Sequence, residues 1–83
     1  MYEIIVLKKA KSQLSKLPEE IRNRIGFAIE KIKLRPFSFV KRLVASQYFR
    51  LRVGDYRLIL DIRQSKLVIM VIEVGHRRNV YKR

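Results

Sequence analysis

The stretch YFRLRVGDYRLILDIR, residues 48–63, alternates apolar and polar side chains on either side of a Gly54-Asp55 pair. Up to the glycine, Phe49, Leu51 and Val53 point one way, and Tyr48, Arg50 and Arg52 point the other. A period of two is the mark of a half-buried strand. Gly-Asp is a turn dipeptide. After it, Tyr56, Leu58, Leu60 and Ile62 take one face, and Arg57, Ile59, Asp61 and Arg63 the opposite one. Two such runs joined by so short a turn predict an antiparallel hairpin. When both apolar faces meet a common core, Arg50, Arg52 and Arg57 share the uncovered face.

Downstream, Gln64-Ser65-Lys66 signals a second turn, and LVIMVIEVG, residues 67–75, is apolar on both faces until Glu73. Such a run is expected to be the most deeply placed strand. Upstream, the period changes. Ile21, Ile25, Ala28, Ile29 and Ile32 recur at helical spacing, with Gly26 inside the run as a point of close helix contact. Pro18 opens this helix, and Glu19 and Glu20 suit its N-terminal dipole. Arg35-Pro36 ends it. A shorter helix over residues 8–17 carries Ala10, Leu14 and Leu17, and YEIIVL, residues 2–7, reads as an opening strand. The segment FSFVKRLVASQ leads from the helices into the hairpin.

The expected architecture is α+β: an N-terminal strand, a two-helix hairpin, then a three- or four-stranded antiparallel meander. Helices on one face of the sheet make a two-layer sandwich. The 83 residues are expected to form a single domain, 1–83, with one modest core.

Charge gives the first functional clue. Twenty Lys and Arg against seven Asp and Glu leave a net charge of +13. Residues 1–34 hold eight basic and four acidic groups, and residues 35–83 hold twelve and three. The second part is where a polyanion would sit. Arginine outnumbers lysine on the predicted uncovered face, and its planar fork matches phosphate in a way a lysine point charge does not. Tyr48, Tyr56 and Tyr81 are interleaved with the arginines, a pattern suited to unstacked single-stranded RNA. By parity Tyr56 belongs to the core, which leaves Tyr48 and Tyr81 as candidates for stacking.

Several classes are excluded. With no cysteine and one histidine, the chain offers no disulfide framework, thiolate metal site or Cys nucleophile. The N-terminus lacks the pattern of a secretory signal, and no run of about 18 apolar residues could span a bilayer. A cytoplasmic protein with no membrane partner, no metal and no cofactor is expected.

The closing GHRRNVYKR, residues 75–83, holds the histidine, four Lys and Arg residues, a tyrosine and no acid. Together with the hairpin it resembles the RelE-type toxins of bacterial and archaeal toxin–antitoxin modules, in the RelE/ParE superfamily. The pieces that carry the resemblance are R-L-R-x-G-D-Y-R at 50–57 and V-G-H-R-R-x-V-Y at 74–81. The order of strand, helical hairpin and antiparallel sheet also agrees with a RelE-like sandwich.

That resemblance implies an mRNA interferase of a type II system, a ribosome-dependent, metal-independent endoribonuclease that cuts messenger in the A site and inhibits translation. A ribose 2′-hydroxyl attacks the adjacent phosphate and leaves a 2′,3′-cyclic phosphate and a 5′-hydroxyl. By motif position Arg57 binds and stabilises the phosphate, Arg77 supports the leaving group, and Tyr81 orients or activates the nucleophile. Arg50 falls at a basic catalytic position. Arg52, Arg78, Tyr48 and His76 are assigned to RNA contact.

The general base stays open. An arginine remains protonated at working pH. Tyr48 stands where some members have a lysine. His76 is the one imidazole available as a base, but by alternation it points away from Arg77. The resemblance also implies an acidic RelB-like antitoxin as partner, with operator DNA reached only through it. Two alternatives remain: a ParE-like, non-nucleolytic inhibitor of DNA gyrase, and a small basic RNA-binding protein without activity.

Overall fold

The structure, a computed structural model, describes residues 1–76. Its elements run β1 (Glu3–Val6), α1 (Lys8–Ser15), α2 (Glu19–Leu34), β2 (Val40–Arg42), β3 (Phe49–Val53), β4 (Tyr56–Arg63) and β5 (Val68–His76). Single 3-10 turns at Pro36–Ser38 and Gln64–Lys66 join α2 to β2 and β4 to β5. Among the described residues no helix is long and apolar enough to cross a membrane.

The strands form one five-stranded sheet in the order β1-β5-β4-β3-β2. β2 to β5 are a four-stranded antiparallel meander, and β1 joins it in parallel against β5. The fold is α+β, with the meander at its longer expected length. β2 is the strand that alternation did not mark. It is three residues long, lies at the sheet edge and ends in Lys41 and Arg42, features that discourage pairing with a further chain.

Both helices cover one face. Ala10 of α1 and Ile25 and Ile32 of α2 join Leu51, Leu58, Leu60, Ile69, Val71 and Val74 in a continuous core. The helical stripe read from the sequence is therefore the buried one, and Phe27, outside that stripe, is 72% exposed. Tyr2 N–H donates to Lys33 O at 2.9 Å, tying the start of β1 to the end of α2.

Two expectations are corrected. Gly26 does not serve a close helix contact, because a Cβ built there meets no atom within 4 Å. The most buried strand is β4 and not β5. Arg57 to Ile62 are all buried, whereas Met70 and Ile72 of β5 are half-exposed. The reason is topological. β4 is the central strand of five, while β5 is paired by β1 only over Val68 to Val71.

Beyond that point α1 takes over the free edge of β5. The Gln13 side-chain carbonyl accepts the Val74 N–H at 2.7 Å, a donor that β1 is too short to meet.

The β3–β4 connection has only Gly54 and Asp55 between the paired residues Val53 and Tyr56. Gly54 has φ +59°, and Asp55 is not among the positive-φ residues. This combination is that of a type II′ hairpin turn, which places glycine first. The Arg24 guanidinium also lies 3.2 Å from where a Cβ of residue 54 would stand.

Candidate nucleic-acid interface

Residues directly opposed across a ladder point to the same side of the sheet. The β3–β4 register pairs Arg52 with Arg57 and Arg50 with Ile59, and the β2–β3 register pairs Lys41 with Arg50. All of these side chains leave the face that the helices do not cover. Three strands thus bring Lys41, Arg50, Arg52 and Arg57 onto one surface. Two of the cross-strand pairs, Lys41–Arg50 and Arg52–Arg57, oppose like charges, an arrangement that destabilises a sheet in isolation.

The arginines differ in setting. Arg52 is exposed, and its Nε donates to Gly54 O at 3.2 Å, so the turn holds the guanidinium. Arg50 is half-buried. Arg57 is 7% exposed. A guanidinium with so little solvent around it acts on a nearby anion with less screening than one in water.

At the far end of the same face, Arg63 closes on Asp61 with three hydrogen bonds of 2.9–3.1 Å. The hydrogen bond and then the charge of Asp61 hold Arg63 above its ordinary pKa, with a smaller contribution from Tyr48. Arg63 is therefore committed to a carboxylate within its own strand.

A cavity of 720 Å³ opens on this face beneath the loop that joins β2 to β3. Loop residues Leu43 to Ser46 form its wall, with Tyr48, Arg50, Ile59, Ile72 and Glu73 around them. The loop is tied internally. Leu43 N–H donates to Tyr48 O at 3.0 Å, Tyr48 N–H to Ser46 Oγ at 3.0 Å, and Arg42 Nη1 to Ser46 O at 3.2 Å. Ala45 takes φ 54° to complete the turn.

Glu73 is the residue that sequence reasoning passed over. It is 8% exposed and its Oε1 lies 3.7 Å from Lys9 Nζ. Strict alternation from Ile69 and Val71 would turn Glu73 toward the helices. Instead the β4–β5 register slips between Ile59 and Leu60, which oppose Glu73 and Val71. One extra residue, Ile72, is a β-bulge that resets the alternation. Ile72 and Glu73, adjacent in sequence, consequently both line the cavity.

His76 is on the other side. It opposes Tyr56, and their rings meet edge to face with centroids 5.7 Å apart, on the side shared with Val53. The structure thus brings Arg50, Arg52, Arg57 and Tyr48 to one face and places His76 away from them. Arg77, Arg78 and Tyr81 lie outside the described residues.

Three comparisons bear on this arrangement. The model of a family described as the ParE toxin of the type II toxin–antitoxin system, parDE, matches residues 4–81. Among solved structures, the chain is similar to one in a RelBE toxin–antitoxin complex of Mycobacterium tuberculosis. There the identity is 28%, the coverage 92% of this chain and 98% of that one, and the TM-score 0.81. A chain of the RelB–RelE complex of Methanococcus jannaschii is 25% identical, with 93% and 94% coverage and a TM-score of 0.73. The archaeal RelE–RelB complex of Pyrococcus horikoshii shows the same fold at 24% identity, with 92% and 94% coverage and a TM-score of 0.81. No curated protein matches the chain by sequence.

Proposed function

Since this chain belongs to the ParE toxin family of type II toxin–antitoxin systems and has the RelE-type fold, we propose that it is a messenger-cleaving endoribonuclease acting on the ribosome. The observation that carries this reading is the concentration of Arg50, Arg52 and Arg57 on the uncovered sheet face, with Arg57 nearly enclosed. A surface meant only to keep a sheet from associating would not bury one of its charges.

The chemistry follows from the groups. The 2′-hydroxyl loses its proton and its oxygen bonds to phosphorus; the bond from phosphorus to the 5′-oxygen breaks, and that oxygen takes up a proton. The products are a 2′,3′-cyclic phosphate and a 5′-hydroxyl. Negative charge gathers on the pentacoordinate phosphorus centre between these steps, and Arg57 supplies a fixed positive charge for it. Arg50 and Arg52 hold flanking phosphates. Arg77 at the leaving group and Tyr81 at the nucleophile complete the set that the RelE motif implies. The ribosome contributes by orienting the message, which removes much of the entropic barrier.

The test is cleavage of a defined message on programmed ribosomes. Arg57→Ala lowers the rate by roughly 100-fold or more, the usual effect of removing a transition-state charge donor. An unchanged rate overturns the assignment.

The family model is named for ParE, and that observation favours a second reading, a non-nucleolytic inhibitor of DNA gyrase. Expression in a bacterial host separates the two: loss of intact message supports the nuclease, and a DNA-damage response with intact message supports the gyrase inhibitor.

The partner in either case is an acidic antitoxin. The related toxins were solved in complex with antitoxins, and a net charge of +13 suits an acidic chain that folds as it wraps the toxin.

A further inference from the structure

The tip of the β3–β4 hairpin holds arginines from two different layers against one glycine. Arg52 comes from the uncovered sheet face, and its Nε donates to Gly54 O at 3.2 Å. Arg24 comes from α2. Its Nη2, Nη1 and Cζ lie 3.2, 3.3 and 3.4 Å from where a Cβ of residue 54 would stand. Distances so nearly equal mean that the planar guanidinium turns its face, and not an N–H edge, to the turn.

Both groups are therefore held by main chain and still have donors to offer. Stacked by its face, Arg24 has the N–H rim of its plane directed along the surface. Anchored through Nε, Arg52 keeps both Nη groups. Both residues are exposed, and among the described residues neither makes an ion pair with a carboxylate. Other cations of α2 are committed: Arg22 Nη1 donates to Leu17 O at 2.7 Å, and Lys33 pairs with Glu30. Arg24 is instead directed at the hairpin, where the Arg52–Arg57 pair begins. Gly54 permits the approach, because a side chain there would enter the space that Arg24 occupies.

We propose that the hairpin tip is a further anion site, in which Arg24 and Arg52 clamp a phosphodiester of the RNA strand where it leaves the sheet face. The proposal rests on the reading of the chain as an RNA-acting toxin and carries its phosphate contacts from the sheet to the helical layer. A phosphodiester suits the site because its non-bridging oxygens point apart, one toward each guanidinium. The oxygens of a carboxylate share a plane and fill a single fork. Asp55 is the acid of this turn, and its exposed charge beside the clamp weakens the hold on an anion.

The test measures binding of a short single-stranded RNA to the free protein by fluorescence anisotropy over a salt series, without ribosomes. Arg24→Gln lowers the slope of log affinity against log salt by about 0.7, the value for one phosphate contact, and weakens binding about 4-fold near 0.15 M salt. Asp55→Asn acts in the opposite direction and strengthens binding roughly 2-fold. Arg22→Gln removes the same charge from the same helix and leaves the slope unchanged. All three side chains are exposed, so the variants keep the core, and equal unfolding midpoints verify it.

Backbone amide resonances locate the contact: the RNA shifts Gly54 and Asp55 in the parent and not in Arg24→Gln. Equal slope losses in the Arg22 and Arg24 variants would mean a diffuse effect of charge and overturn the site. Unshifted Gly54 and Asp55 amides in the parent would overturn it as well. So would a poly-glutamate peptide of matched length that shifts them at lower concentration than the RNA, which assigns the tip to an acidic protein partner. Message cleavage on ribosomes is scored separately. A slope loss in Arg24→Gln with a parent that cuts no message keeps the site and sinks the nuclease reading, and cleavage with an unchanged Arg24→Gln slope does the reverse.

Discussion

Arg52 and Arg57 face each other directly across the β3–β4 ladder, one pair in from a two-residue turn. In such a hairpin the second pair is the non-hydrogen-bonded one, whose Cα atoms approach to about 4.5 Å. Two guanidinium groups are thereby rooted side by side, one exposed and one enclosed. Like charges in this position oppose folding, and a phosphate bound by both, as proposed, would offset that repulsion.

Relieving that repulsion is expected to separate stability from function. Arg52→Gln raises the stability of the free protein by a few tenths of a kcal/mol. It also weakens RNA binding and lowers the slope of log affinity against log salt by about 0.7, the value for one phosphate contact on a single strand. Thermal unfolding and a salt series on a short RNA read the two effects. A loss of stability with an unchanged slope would refute the role.

Arg57→Lys distinguishes charge from geometry. The ammonium keeps the positive charge and loses the planar fork. Cleavage on programmed ribosomes is expected to fall between wild type and Arg57→Ala. Full activity in the lysine variant would mean that charge alone suffices.

Gln13 closes the free edge of β5, and its removal exposes what β1 leaves unpaired. Gln13→Leu strands the Val74 N–H and is expected to destabilise the fold by about 1–3 kcal/mol, the penalty for an unsatisfied buried donor. Hydrogen exchange at the Val74 amide should accelerate ahead of the Leu7 amide, whose N–H still donates to Val71 O. Equal protection in the variant and parent would show that another group meets this donor.

The two glycines Gly26 and Gly54 predict opposite responses to alanine. Gly26 sits inside α2 with open space around its missing Cβ, so Gly26→Ala adds about 0.5–1 kcal/mol. Gly54 has φ +59° and lies against Arg24, so Gly54→Ala loses about 1–2 kcal/mol to left-handed backbone strain. Denaturant midpoints of the two variants should move in opposite directions.

The acidic-partner proposal is checked in the genome and on a column. A short reading frame beside this one is expected to encode a net-acidic chain that co-purifies with it and abolishes its toxicity. A neighbour of basic or neutral charge, or none, would count against the proposal.

Much of this arrangement was legible in the sequence because it depends on local geometry. Period-two alternation around Gly54-Asp55 puts Arg50, Arg52 and Arg57 on one side whatever else the chain does, since a strand has only two faces. The aliphatic stripe of α2 was legible for the matching reason at a period of 3.6. Tyr56 was likewise assigned to the core side, where it meets His76. The run 67–75 misled in part. Its continuous apolar character suggested the deepest strand, yet burial followed position in the sheet, and β4 is the central strand.

The sequence by itself therefore determined the fold class, the hairpin and the charged face, because each is dictated by spacing within a few residues. Tertiary structure alone decided the rest. It set β1 in parallel against β5, brought Gln13 to Val74 across 61 positions, and shifted the β4–β5 register so that Glu73 joined the arginines. An extra residue in a strand leaves no mark on composition or charge. Only when β5 is paired against β4 does Ile72 have no partner, and that single unpaired residue turns the next side chain to the other face.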